Sequence, residues 1–197
     1  MTTQKQKKRD LILETACRFF SKNGLRKSTL EDIARELGMK NTALYHYFQS
    51  KEALILAVAE HIMVEVYETE KTILQQEKPL IDRLMAVLDY REKLTRDIIK
   101  SYAHLIEELL TMPPLFRDEI GAHLRKTIEM FKEELARDRA LHPDRTLDPT
   151  AFATLFVLSA MFTHMNFFIN LNHPQIICSE EALHAEFRNL IFRAFTE

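Results

Sequence analysis

Only three of the 197 residues are glycine, where an ordinary globular chain has about 7%. Sheet folds need glycine at many turns and draw on β-branched residues for their strands. This chain has five valines against 26 leucines. A leucine-rich, glycine-poor sequence suits helices joined by short connections, so the expected fold is all-α. Three glycines, at 24, 38 and 121, also cannot form the common phosphate-cradling loops G-x-x-x-x-G-K-[ST] or G-x-G-x-x-G.

Hydrophobic residues make up 46% and charged residues 28%, a globular composition rather than a disordered one. Cys17 and Cys178 have no metal-site spacing and make no disulfide framework, so both are expected as small buried apolar groups. The opening MTTQKQKKRD is basic but has no long apolar run behind it, so no signal peptide is expected. No Asp, Glu, Lys or Arg lies between Asp148 and Glu180, and residues 151–171 are long enough to span a bilayer. Thr154, Ser159, Thr163, His164, Asn166 and Asn170 make that stretch too polar to face lipid. A helix buried by its own domain and a partner subunit is expected there, with no membrane association and a cytoplasmic location.

Net charge is −2, unevenly spread. Residues 1–51 hold eleven Lys or Arg and five acids, a net +6 that leaves −8 for the remainder. A basic first quarter on an acidic body points to a polyanion partner for the first part alone.

The order of residues in that quarter is informative. Residues 8–23 have helical periodicity, with Ile12, Ala16, Phe19 and Phe20 along one side, and Gly24 is placed to close the helix. Thr29 opens a second short helix, with Asp32 completing a capping box and Leu30, Ile33, Ala34 and Leu37 facing inward. Gly38 breaks it, and a third helix is predicted at about 40–47. Helix, glycine turn and helix in some nineteen residues is helix-turn-helix spacing, which leaves one side of the last helix free to enter a major groove. Thr29 has a hydroxyl beside the first amides of a helix, a natural phosphate clamp. Lys40, Asn41, Thr42, Ala43, Tyr45 and His46 are the candidates to meet DNA: Asn41 at an adenine edge, Lys40 at guanine or a phosphate, Thr42 by its hydroxyl and Ala43 at a thymine methyl. Tyr47 and Phe48 are expected as packing anchors.

The run from Ile12 through Gly24, Thr29, Ile33-Ala34, Gly38 and Leu44-Tyr45-x-Tyr47-Phe48-x-x-Lys51 to Leu54 resembles the DNA-binding domain of the tetracycline-repressor (TetR) family. The resemblance covers about residues 10–55. It implies a helix-turn-helix DNA-binding domain over 1–50, a helical effector-binding and dimerisation domain over 51–197, about nine helices in all, and a phosphate contact by Lys51. One position departs from the family, which commonly has Ser or Thr where this chain has Lys40. Either Lys40 replaces the hydroxyl's phosphate contact with a charged one, or the third helix begins at Asn41.

In the body, a long helix is predicted from Ser50 to about Gln76, one or two more over 79–111 after Pro79, and another over about 114–138. Residues 141–147 form a loop, Asp148-Pro149 starts the charge-free helix, and Ser179 caps the last. Leu183, Phe187, Leu190 and Ile191 form an apolar stripe on that last helix. The resemblance implies that the last two helices pair with those of a second copy, presenting two heads to palindromic double-stranded operator DNA. Thirteen Phe and eight Met, together with the resemblance, lead to the expectation of a pocket for a small, mostly apolar effector. Tyr67, Tyr102, His104, His123, Phe131, His164 and Asn166 are its candidate contacts. The function expected is a homodimeric repressor released from its operator by that effector.

Two other classes are weighed. A di-iron bundle needs two E-x-x-H motifs and two further glutamates; Glu181-x-x-His184 stands alone and there is no H-E-x-x-H. No catalytic residue, metal or cofactor is therefore expected. The other class keeps the fold and DNA binding but serves chromosome organisation or a protein partner.

Overall fold

The computed structural model describes residues 4–94, 114–144, 147–159 and 180–196. Every regular element among them is helical. The helices are α1 (Gln4–Asn23), α2 (Leu30–Glu36), α3 (Asn41–Tyr45) and α4 (Lys51–Leu74), then α5 (80–94), α6 (Pro114–Leu141), α7 (149–159) and α8 (Glu180–Thr196). Tyr102, His104, His164, Asn166, Cys178 and the Ser179 cap lie outside the described residues, as do residues 95–111 and 160–171 of the stretches predicted to be helical. No helix among the described residues is long and apolar enough to cross a membrane.

Local chemistry accounts for the helix ends. α1 starts at Gln4 rather than near residue 8, because Lys5, Gln6 and Lys7 are good helix formers and the Gln6 amide donates to Asp10 Oδ1 at 2.7 Å. Gly24 stops it with φ 78°, its N–H donating to the Phe20 carbonyl at 2.7 Å. Gly38, at φ 62°, turns the chain between α2 and α3. α3 is shorter than predicted: it ends at Tyr45, and the N–H groups of both Tyr47 and Phe48 turn back to the Leu44 carbonyl. Ser50 Oγ caps α4 by accepting from Ala53 N at 3.1 Å. The Arg83 guanidinium donates to the Leu74 carbonyl, filling an acceptor that α4 leaves free at its C-terminus. Asp148 Oδ1 accepts from Ala151 N at 2.6 Å, so Asp148-Pro149 does start α7.

The chain forms two compact units. The first comprises residues 1–66 and 96–120. Its core takes Ile12, Ala16 and Phe20 from α1, Ile33 and Ala34 from α2, Leu44 and Phe48 around α3, and Leu54 and Val58 from α4. Phe48 is 5% exposed and Tyr47 packs against the same core, so both anchor the fold as expected. The second unit comprises 67–95 and 121–197. Leu84, Val87, Phe131, Leu135, Phe156 and Ile191 lie in its core, with the Phe131 and Phe156 rings 4.9 Å apart. α4 belongs to the first unit through Val66 and to the second from Tyr67.

A charged pair lies inside the second unit. Glu70 on α4 is 1% exposed and receives Arg91 of α5 in a two-pronged bond of 2.6 and 3.0 Å. The third nitrogen of Arg91 donates to the Phe156 carbonyl at 2.8 Å, and the guanidinium lies 5.3 and 4.9 Å from the Phe131 and Phe156 ring centres.

The apolar stripe of α8 divides in two. Ile191, 1% exposed, and Phe195 enter the core of their own unit, while Phe187 packs against it with its ring 6.1 Å from Phe156. Leu190 and Phe192, each 55% exposed, face outward. Phe187 and Ile191, expected with Leu183 and Leu190 at a dimer interface, thus pack with the core of their own unit. Sequence spacing marks an apolar side of a helix but not whether its own domain already covers it.

Candidate nucleic-acid interface

α3 has only five residues and is held by side chains rather than by length. Leu44 is fully buried and Phe48 nearly so, which turns the opposite side outward. Asn41, Thr42, Tyr45 and His46 are exposed there and Ala43 is half-buried. Lys40 is exposed, occupies the N-cap and makes no side-chain cap, so of the two readings of Lys40 the helix beginning at Asn41 is the one observed. Lys51, at the first turn of α4, donates to the Arg26 carbonyl at 3.4 Å and so lies beside the loop between α1 and α2. On α1, the Arg9 guanidinium sits 5.5 Å from the centre of the Phe48 ring, next to the end of the α3 turn.

Thr29 differs from expectation. Its hydroxyl accepts from Asp32 N at 3.1 Å and donates to Asp32 Oδ2 at 2.6 Å, while its own N–H meets the same carboxylate at 3.1 Å. The hydroxyl is therefore engaged within the cap, and the Asp32 carboxylate takes the Thr29 N–H as well. The Thr29 bonds, then Arg35 at 3.2 Å, hold the Asp32 carboxyl below its ordinary pKa.

One residue of this surface escaped the sequence reading. Glu31 Oε1 accepts the Tyr45 hydroxyl at 3.2 Å, joining α2 to α3. This hydrogen bond, reinforced by the carboxylate charge, raises the Tyr45 phenol above its ordinary pKa. The only signal in the sequence was an acid inside a basic quarter, which spacing alone could not pair with a tyrosine fourteen residues on.

The second unit contains a groove of about 370 Å³ between the C-terminal half of α4 and α6. Tyr67 lines it, with Lys126 Nζ 3.9 Å from the ring centre and His123 edge-on at 6.1 Å. Burial, then Lys126, lowers the His123 pKa against an opposing pull from Glu70, so this imidazole is neutral at pH 7. Leu74 and Met130 add apolar surface, but Lys71, Glu129, Glu133, Glu134 and Arg137 complete the lining. The groove thus mixes charged side-chain ends with apolar surface. Phe131 is not part of it; fully buried, it serves the core.

Residues 12–58 match the family model described as bacterial regulatory proteins, tetR family. Over that segment the chain is similar to the tetR family. The matched residues take in all of α2 and α3 and the first turns of α4. The chain is 28% identical over 122 residues to the transcriptional regulator RutR of Escherichia coli K12, a match covering 62% of this chain and 57% of RutR. The chain thus spans little more than half the length of that relative. It is 26% identical over 162 residues to the nucleoid occlusion factor SlmA of Haemophilus influenzae, covering 78% of this chain and 73% of SlmA. The fold is shared with a TetR/AcrR-family regulator from Thermobifida fusca, at TM-score 0.72 and 22% identity over 97% of this chain and all of the other. It is shared also with the regulator FadR of Bacillus subtilis, solved with stearoyl-CoA, at TM-score 0.70 and 17% identity over 93% and 97%.

Proposed function

We propose that this chain is a TetR-family regulator that acts in the cytoplasm as a homodimeric repressor, released from a palindromic operator by a small molecule. The observation that carries the proposal is the outward side of α3. Asn41, Thr42, Tyr45 and His46 stand exposed there, on a quarter of the chain with a net charge of +6. Asn41 and Thr42 are assigned to base edges, Ala43 to a thymine methyl, and Tyr45 and His46 to the same groove. Lys40 and Lys51 are assigned to phosphates, with Thr29 acting through the cap that sets the start of α2. A dimer presents two such helices to half-sites about 34–36 Å apart or a multiple of this.

The effector is proposed as a small molecule with a mostly apolar body. Support comes from the thirteen Phe and eight Met of the chain and from the stearoyl-CoA held by a protein of the same fold. The charged groove at Tyr67 is not offered as its seat. The effector reaches the DNA through α4, which carries Lys51 at its start and contributes its last third to the other unit. If it weakens operator binding a hundredfold, the operator weakens effector binding equally, about 2.7 kcal/mol of coupling.

Genome-wide mapping of bound sites, followed by titration of the isolated duplex with and without candidate effectors, tests this reading. A few sites at promoters, bound by a dimer and released by a ligand, support it. A second reading, a chromosome-organising DNA-binding protein, is favoured by the similarity to SlmA over most of the chain. It requires many dispersed sites and no ligand response, and that outcome would displace the first.

A further inference from the structure

We propose that Glu31 is a specificity-determining residue of the DNA-reading surface, its carboxylate selecting a cytosine through the amino group that base exposes in the major groove. The inference rests on the proposed role of α3 as recognition helix and concerns a residue on α2. Glu31 is half-buried and follows the first residue of α2. Its Oε1 accepts the hydroxyl of Tyr45, a side chain 44% exposed on the outward side of α3. Among the described residues no cation lies within ion-pair distance of Glu31, whereas the neighbouring Asp32 has Arg35 at 3.2 Å. In a quarter of the chain carrying +6, that leaves one carboxylate uncompensated beside the residues proposed to meet DNA.

The hydrogen bond fixes what the pair offers. The Tyr45 proton is committed to Glu31, so the phenol presents lone pairs only, and an ionised carboxylate is acceptor-only in any case. The raised pKa of Tyr45 keeps that proton in place at any physiological pH. Two acceptors side by side repel phosphate oxygens, and they repel the N7 and O6 of guanine and the O4 of thymine. They attract the amino groups of cytosine and adenine. Adenine carries its N7 acceptor next to that amino group, whereas cytosine has no acceptor there, so the pair favours cytosine.

Selection of bound duplexes from a randomised library tests this with the full chain, Glu31→Gln, Glu31→Ala and Tyr45→Phe at one salt concentration. The wild-type half-site should contain a C·G pair at one fixed position. Glu31→Gln, which can donate as well as accept, should move the preference at that position alone toward A·T by on the order of tenfold. Glu31→Ala should abolish the preference, and Tyr45→Phe should blur it without substituting another base. The inference is overturned if Glu31→Gln leaves every base preference unchanged, or if it raises affinity for all sequences alike, the behaviour of a merely repulsive charge. A wild-type chain that enriches no sequence overturns the recognition role of α3 as well, so the two failures are distinguishable.

Discussion

Asp32 was legible in the sequence as a partner for Thr29, and the structure adds what the pair excludes. The Asp32 carboxylate takes both the Thr29 hydroxyl and the Thr29 amide, so the hydroxyl that spacing offered to a phosphate is engaged in the cap. Because folding lowers the Asp32 pKa, the unfolded chain takes up the proton first as pH falls. The stabilisation is complete above the ordinary value of 3.8 and fades as pH falls through the lower folded value. Melting curves of wild type and Asp32→Asn should therefore differ most at neutral pH and converge as pH drops below about 4. A gap that stays constant down to about pH 3 would mean the cap does not depend on the charge. Lys51 stands in a different position: among the described residues its ammonium meets only a carbonyl, at 3.4 Å, and can turn to a phosphate at little cost. Lys51→Ala should weaken binding to all duplexes alike and make the salt slope shallower by about one unit in a titration over ionic strength.

Helix starts and stops were the most legible elements, because Gly24, Gly38, Thr29 and Asp148 act on amides and carbonyls within a few residues. What ties one helix to another was not legible. Nothing in the spacing of Glu70, Arg91 and Phe156 shows that they meet, yet together they join α4, α5 and α7. Arg91→Ala would take from Glu70, 1% exposed, its one ion-pair partner among the described residues, a loss expected at about 3–5 kcal/mol in denaturant unfolding. Replacing both members, as Arg91→Met with Glu70→Leu, should recover most of that loss, since breaking a buried pair costs more than removing it. A double variant as unstable as the single one would show that the bond to the Phe156 carbonyl, rather than the ion pair, holds these helices.

For the whole molecule, the sequence showed the all-α class and the basic head but not the division into units. Nor could it show which apolar residues of α8 remain uncovered, since both sides of the stripe have the same composition. The outward pair now gives a cleaner test of assembly than Phe187, whose ring belongs to its own core. Leu190→Asp, at a position 55% exposed, should leave the melting temperature of the isolated chain nearly unchanged. In sedimentation it should shift a species of twice the chain mass toward the single chain. Ile191→Ala should instead cost about 2–5 kcal/mol in stability. If Leu190→Asp sediments like wild type, the dimer does not use this side of α8.

The passage of α4 from one compact unit into the other bears on how the protein is degraded. Proteases need a stretch of exposed chain that can be drawn out straight, and loops supply it. Here the polypeptide crosses at Val66–Tyr67 inside a helix that continues to Leu74, so the crossing offers no such stretch. The exposed turns at 75–79 and 142–144 do. Brief digestion with a broad-specificity protease should nick those turns and spare residues 60–70, so that the first fragments keep α4 whole. An early cut inside 60–70 would show that α4 opens at the crossing. A preparation handled carelessly should accordingly yield heads that still carry the whole of α4, not heads cut off partway along it.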